Sequence, residues 1–291
     1  MSRIFLRKIV RKYFSADISK SLKQFEFKTK RSIVKALPSI SKRQFREILQ
    51  DKLKVKVGDN LFIHASSSMM NLGFTTKEMA EIIRECVGDG GLIIVPTFPR
   101  TSSQDFLKNE SVFDALKERS GMGVLSEYIR TMPGSSRSNH PTKSMAGVGP
   151  GIRDLLLGHE KSEFSFDSNS PYYKLLDRDI KIIGLGAQMS YLSFVHVPED
   201  CNPATWPVEV YQSTPIRKNV KLEDGRMSQL RYYAHDLDVV SKANPEKFVR
   251  RNMDKNSYTI YRHFLTPFFV VDGNILFQSI QEKSPLETIY Y

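Results

Sequence analysis

The sequence predicts an α/β fold: a single domain with a central mixed sheet flanked by helices, preceded by a basic N-terminal arm. Three observations carry this. From about residue 43, short β-branched runs alternate with helical patterns. Of 291 residues, 40% are apolar and 26% charged, an ordinary composition with enough material for a full core. No internal repeat and no linker rich in Pro, Gly or Ser divides the chain. The expected division is therefore an arm over 1–42 and one domain over 43–291, with room for a small subdomain after 205.

Arg43 to Leu53 reads as a helix, and Asn60 to His64 as a short buried strand ending in a Ser-rich loop. Thr75-Thr76-Lys77-Glu78 opens the next helix, with Thr75 at the cap and Glu78 reaching back to it, before Met79, Ile82, Ile83 and Cys86 on an apolar face. Gly88 to Gly91 turns the chain into a strand at Leu92 to Val95, stopped by Pro96. A helix follows at Val124 to Thr131, a Gly/Pro-rich segment at Pro133 to Gly151, a helix near Pro171 to Leu176 and a strand at Ile180 to Leu185.

No run approaches the roughly 20 apolar residues of a membrane-spanning helix, and no secretory signal pattern opens the chain. Cys86 and Cys201 are too few for a disulfide framework or a four-cysteine zinc site. A cytoplasmic location is expected. The net charge of +11 sits mainly in residues 1–35, where Arg3, Arg7, Lys8, Arg11, Lys12, Lys20, Lys23, Lys28, Lys30, Arg31 and Lys35 face only Asp17 and Glu26. Ile4, Phe5, Ile9, Tyr13 and Phe14 recur there at helical spacing, so a short amphipathic helix could rest peripherally on an anionic membrane, bind a partner, or be a solvated tail. No nucleic-acid-binding signature accompanies the charge.

Four features could carry chemistry. His64-Ala65-Ser66-Ser67-Ser68 lies between a strand and a helix start, where hydroxyls and backbone N–H groups suit a phosphate, although such a turn can be only a turn. Ser136-Arg137-Ser138-Asn139-His140-Pro141-Thr142-Lys143-Ser144 is a dense polar stretch that is either functional or an exposed loop. In Phe194-Val195-His196-Val197-Pro198-Glu199-Asp200, a His and a Glu three apart share one side of a helical turn. The carboxylate can then orient the imidazole as a general base, with a structural histidine or a metal half-site as the alternatives. Ser170-Pro171 can open a helix. Trp206 and the Tyr172-Tyr173 pair could stack on a ligand or fill the core.

The order and spacing of these residues resemble the aminoglycoside 3-N-acetyltransferase family. The resemblance runs through His64 to Gly73, Pro96-Thr97-Phe98, the Gly123 to Arg130 helix, Arg137-Ser138-x-His140-Pro141-x-x-Ser144, Ser170-Pro171, Gly184-Leu185-Gly186 and His196-x-x-Glu199, about 140 residues in all. It implies an acetyl-CoA-dependent N-acetyltransferase that needs no metal. By that resemblance His64, Ser66, Ser67, Ser68, Thr97, Phe98, Arg137, Ser138 and Ser144 should line the coenzyme groove, with Arg137 meeting its phosphates. His196 should be the base and Glu199 its orienting partner, with His140 and Ser138 positioning the thioester or the developing oxyanion. A homodimer is also open. For the acceptor, the cationic arm and the balance over 200–291, 12 Lys and Arg against 11 Asp and Glu, suggest an anionic compound. The expectation is thus a nucleotide- or lipid-linked amino sugar of surface-polysaccharide biosynthesis, with aminoglycoside modification and antibiotic resistance as the alternative.

Overall fold

The computed structural model describes residues 16–284 and 289–290. The amphipathic segment expected around Ile4 to Phe14 lies outside the described residues. Along the described chain the strands are Asn60–Ala65 (β1), Leu92–Pro96 (β2), Phe113–Asp114 (β3), Ser136–Arg137 (β4), Met145–Val148 (β5), Ile180–Leu185 (β6), Ile216–Lys221 (β7), Met227–Tyr232 (β8), Tyr258–His263 (β9) and Thr266–Asp272 (β10). The helices are Ala16–Ala36 (α1), Lys42–Glu47 (α2), Thr76–Val87 (α3), Ser103–Lys108 (α4), Val124–Thr131 (α5), Ile152–Leu156 (α6), Pro171–Lys174 (α7), Val197–Cys201 (α8), Leu237–Val240 (α9), Pro245–Asn252 (α10) and Gly273–Lys283 (α11).

A seven-stranded mixed sheet runs in the order β4-β5-β2-β1-β6-β10-β9, with β2, β1 and β6 parallel and the flanking pairs antiparallel. The period of two along its central strands makes two cores. Phe62, Leu92, Ile94, Ile180 and Ile182 face one layer, with Leu155, Tyr172, Phe248 and Leu276 from α6, α7, α10 and α11. Leu61, Ile63, Ile93, Val95, Ile183 and Leu185 face the other, with Met79, Ile83, Leu125 and Ile129 from α3 and α5. Burial on both faces explains why β1, β2 and β6 read as continuous apolar runs.

Local chemistry sets the boundaries. Thr75 accepts from the Glu78 N–H while Glu78 accepts from the Thr75 N–H, closing the expected capping box, and Gly88 ends the helix at φ 66°. Ser41 and Gln44 form a second box that opens α2, and the chain continues through one wide turn at Ile48–Lys52. The segment expected to be irregular, Pro133 to Gly151, contains two strands. Its β5 pairs with β2, placing Gly147 beside Ile94 and Ala146 beside Val95. A Cβ on Gly147 would lie 2.6 Å from the Ile93 carbonyl, so a small residue is required where strand propensity expects a large one.

The second sheet, β3-β7-β8, covers Phe106, Leu107, Phe113, Val220, Tyr232 and Ala234. Lys218 is buried beneath it and donates to the carbonyls of Phe106 at 3.0 Å and Asn109 at 2.8 Å. Among the described residues no helix is long and apolar enough to cross a membrane.

Candidate active site

The three parallel strands deliver their C-terminal ends to one edge of the sheet, where ligands of open α/β sheets bind. There β1 ends at Ala65 before Ser66–Ser68, β2 ends at Pro96 before Thr97 and Phe98, and β6 ends at Leu185 before the turn that leads to His196. The register places His64 beside Gly184, and Gly184 in turn leaves room for Phe269, whose ring a Cβ would meet at 2.1 Å.

From Gly186, at φ 66°, the chain passes through tight turns at Met189–Tyr191 and Ser193–His196 into α8. That turn sets His196 Nδ1 3.0 Å from Glu199 Oε2. Glu199 is 1% exposed and also accepts from the Tyr290 hydroxyl at 3.1 Å, so the carboxylate is held from two sides. With Nδ1–H donated to Glu199, the His196 lone pair is on Nε2, the tautomer a proton acceptor needs. Next to Glu199, Asp200 Oδ2 accepts from the Phe166 N–H at 2.7 Å and the Tyr211 hydroxyl at 2.6 Å. Burial raises the Asp200 pKa well above the usual carboxylate range. His235 stacks on Tyr211 at 4.4 Å, and its ring centre is 5.0 Å from that of His196. Burial holds it neutral, with its pKa well below the ordinary value.

The polar block Arg137 to Ser144 has a different character. Arg137 donates to the carbonyls of Thr97 at 2.8 Å, Ala115 at 3.1 Å and Glu118, and to Ser144 Oγ at 3.1 Å. Burial lowers its pKa to about 10. The guanidinium expected to meet coenzyme phosphates is thus engaged by backbone oxygens. His140 donates from Nε2 to the Ser162 carbonyl at 3.2 Å and accepts at Nδ1 from the Lys143 N–H at 3.1 Å, which leaves no ring lone pair for substrate. Ser138 donates to His159 Nδ1 at 2.8 Å and accepts from the Met145 N–H at 3.0 Å. The thioester-positioning roles expected for His140 and Ser138 therefore meet two side chains that are fully buried and engaged internally. Thr97 and Ser144 are also fully buried, and their hydroxyls lie 3.0 Å apart.

Aromatic packing joins these parts. Phe62 contacts both His64 at 4.8 Å and Tyr172 at 5.6 Å; Phe166 contacts both Tyr172 at 4.5 Å and His196 at 5.5 Å; and His159 bridges Tyr172 to His140. Tyr172 is core rather than a stacking platform, at 0% exposure. His64 is buried with its pKa lowered to about 4, and its Nε2 has no hydrogen-bond partner among the described residues. Ser66, Ser67 and Ser68 are half-buried, and Ser67 Oγ likewise has no partner there. Tyr211, His235 and Tyr290 were not legible as site residues, because each reaches His196, Glu199 or Asp200 from outside their helical turn, from 11 residues away for Tyr211 to 91 for Tyr290. Among the described residues no group of three or more His, Cys, Asp or Glu could hold a metal ion.

A sequence profile of the aminoglycoside 3-N-acetyltransferase family matches residues 62–262. The chain belongs to this family. Among curated members, aminoglycoside N(3)-acetyltransferase III of Salmonella sp is 25% identical over 162 residues, covering 51% of this chain and 56% of that relative. Aminoglycoside N(3)-acetyltransferase VIII of Streptomyces fradiae is 24% identical over 166 residues, covering 51% and 57%. The chain thus matches little more than half the length of these relatives. Solved family folds superpose more completely. AAC-IIIb binary with CoASH gives a TM-score of 0.69 at 20% identity, covering 83% of this chain and 95% of that one. AAC-VIa bound to sisomicin gives 0.70 at 22%, covering 86% and 99%.

These findings overturn the expectation of a nucleotide- or lipid-linked amino sugar from polysaccharide biosynthesis. That expectation took the charge of the arm and the average balance over 200–291 as a guide to the acceptor site. Such an average does not report the few groups folded around a site, such as Glu199 beside His196.

Proposed function

We propose that the chain is an acetyl-CoA-dependent N-acetyltransferase that acts on an amino group of an aminoglycoside, the activity its family name describes. The observation that carries this reading is the His196–Glu199 pair at 3.0 Å, set on a tight turn at the C-terminal edge of the parallel strands. His196 Nε2 takes a proton from the incoming amine, and Glu199 stabilises the imidazolium that forms. The amine attacks the thioester directly, so Cys86, which is buried, and Cys201, whose thiol burial pushes up to about 12, have no nucleophilic task. The half-buried Ser66–Ser68 loop and Phe98 are the proposed coenzyme contacts, with Arg137 and Ser144 as their support. The arm over 1–42 and the transferase unit over 43–291 belong to the same proposal.

The test is release of free coenzyme A, followed with a thiol reporter, from acetyl-CoA and a panel containing sisomicin, gentamicin and amino-sugar nucleotides. Release that depends on an aminoglycoside, with product heavier by one acetyl group, is the expected result. Silence across the aminoglycosides would sink the reading.

A further inference from the structure

Within the polar block, Lys143 differs from its neighbours. Its backbone is fixed on both sides, since its N–H donates to His140 Nδ1 at 3.1 Å and its carbonyl accepts from the Tyr172 hydroxyl at 3.0 Å. The half-buried side chain lies with Nζ 4.7 Å from the centre of the Phe98 ring, and among the described residues no hydrogen bond or ion pair reaches that nitrogen. A half-buried ammonium without a counter-ion is only partly hydrated, and one aromatic face offsets only part of that loss.

The titratable groups that face it are Asp200, His235 and His140. Asp200 is pushed toward its neutral form by burial, and both imidazoles are held neutral by it, so none supplies a full counter-charge. His235, which interacts electrostatically with Lys143, has its ring centre 5.0 Å from that of His196. Burial lowers the Lys143 pKa from its ordinary value to about 8.

Building on the acetyl-transfer reading above, we infer that Lys143 is a catalytic residue: its ammonium donates to the thioester carbonyl oxygen and stabilises the oxyanion formed there. The acceptor nitrogen forms the new N–C bond with its lone pair, and the carbonyl π pair moves to oxygen, where Lys143 meets it. As C=O re-forms, the C–S bond breaks with its pair going to sulfur. The proton that His196 removed from nitrogen passes to that thiolate. A donor aimed at developing charge acts on the transition state more than on bound substrate.

Lys143→Met should lower kcat about 100-fold, the effect of losing one oxyanion donor, while KM for acetyl-CoA and acceptor moves less than about threefold. In the wild type, kcat should fall above pH about 8 as the ammonium deprotonates, and Lys143→Met should lack that limb. A second variant guards against a folding defect: Lys143→Cys should regain most of the lost kcat when aminoethylated with 2-bromoethylamine, which restores an ammonium at nearly the same reach. Unchanged kcat in Lys143→Met overturns the inference. A raised KM for acetyl-CoA at constant kcat does so too, because it would make the lysine a phosphate anchor, as does failure of the aminoethylated variant to recover. A wild-type chain that transfers no acetyl group in the same assay overturns the parent reading and this inference with it.

Discussion

The two polar clusters at the C-terminal edge of the sheet have similar compositions and opposite hydrogen-bond balances. In the Arg137 to Ser144 block, the guanidinium, His140 and Ser138 meet defined internal partners, mostly backbone oxygens and N–H groups, and Asn139 Oδ1 is the buried atom there without a partner among the described residues. Beside α8 the balance is incomplete: Glu199 Oε1, Asp200 Oδ1 and His235 Nε2 are buried with no hydrogen-bond partner among the described residues. Buried polar atoms normally find partners, and leaving them unpaired costs about 1–3 kcal/mol each. A fold tolerates that where a ligand or a proton transfer uses the groups. The difference separates the internally engaged Arg137, His140 and Ser138 from the groups left available for chemistry, Lys143 among them, more sharply than residue type does.

Substitutions in the two clusters should therefore fail in different ways. The largest effect on activity belongs to His196→Ala, which should lower kcat/KM by about 100-fold or more, close to 2.7 kcal/mol of transition-state stabilisation. Its urea midpoint should fall less than that of Arg137→Met, because Glu199 loses one donor but keeps the Tyr290 hydroxyl at 3.1 Å. Loss of stability in step with activity would erase the contrast between the clusters. Arg137→Met reverses the pattern. It leaves the Ala115 and Glu118 carbonyls without their donor, while the Thr97 carbonyl keeps the Ser144 hydroxyl, so unfolding free energy should drop by about 2 kcal/mol, read from urea denaturation. If the variant keeps wild-type stability and instead raises KM for acetyl-CoA, the guanidinium serves the phosphates after all.

How much of this was legible in the sequence follows from how local each signal is. The capping box of α3 and the His196–Glu199 pair each lie within one helical turn, and each has the expected hydrogen bonds. The strand β5 was hidden because Met-Ala-Gly-Val has little strand character and is fixed by its pairing with β2. Beyond residue 205, β7 is Ile-Arg-Lys-Asn-Val-Lys, a polar run whose strand identity comes from its partners β3 and β8. Tyr290 reaches Glu199 across 91 residues, a contact that no spacing rule contains. The acceptor was misread for a related reason: formal charge is summed along the chain, whereas a ligand meets the field of the few groups folded around it.

The smallest effect distinguishes the scaffold's histidines by pH. His64 is lowered to about 4 and His159 to about 3, both by burial, while His140 is lowered well below its ordinary value by the same cause. In the unfolded chain each would bind a proton near its ordinary value of about 6.5. The unfolded state therefore binds more protons as pH falls, and stability is complete above about 6.5 and declines toward the folded pKa of each group. Between pH 7 and pH 6 each such histidine should cost about 0.7 kcal/mol, a loss visible as a falling urea midpoint. His159→Gln should remove one histidine's share of that slope. A midpoint that does not move between pH 7 and 6 would mean that these imidazoles carry their charge inside the fold, and the block would then be as electrostatically incomplete as the pair beside α8.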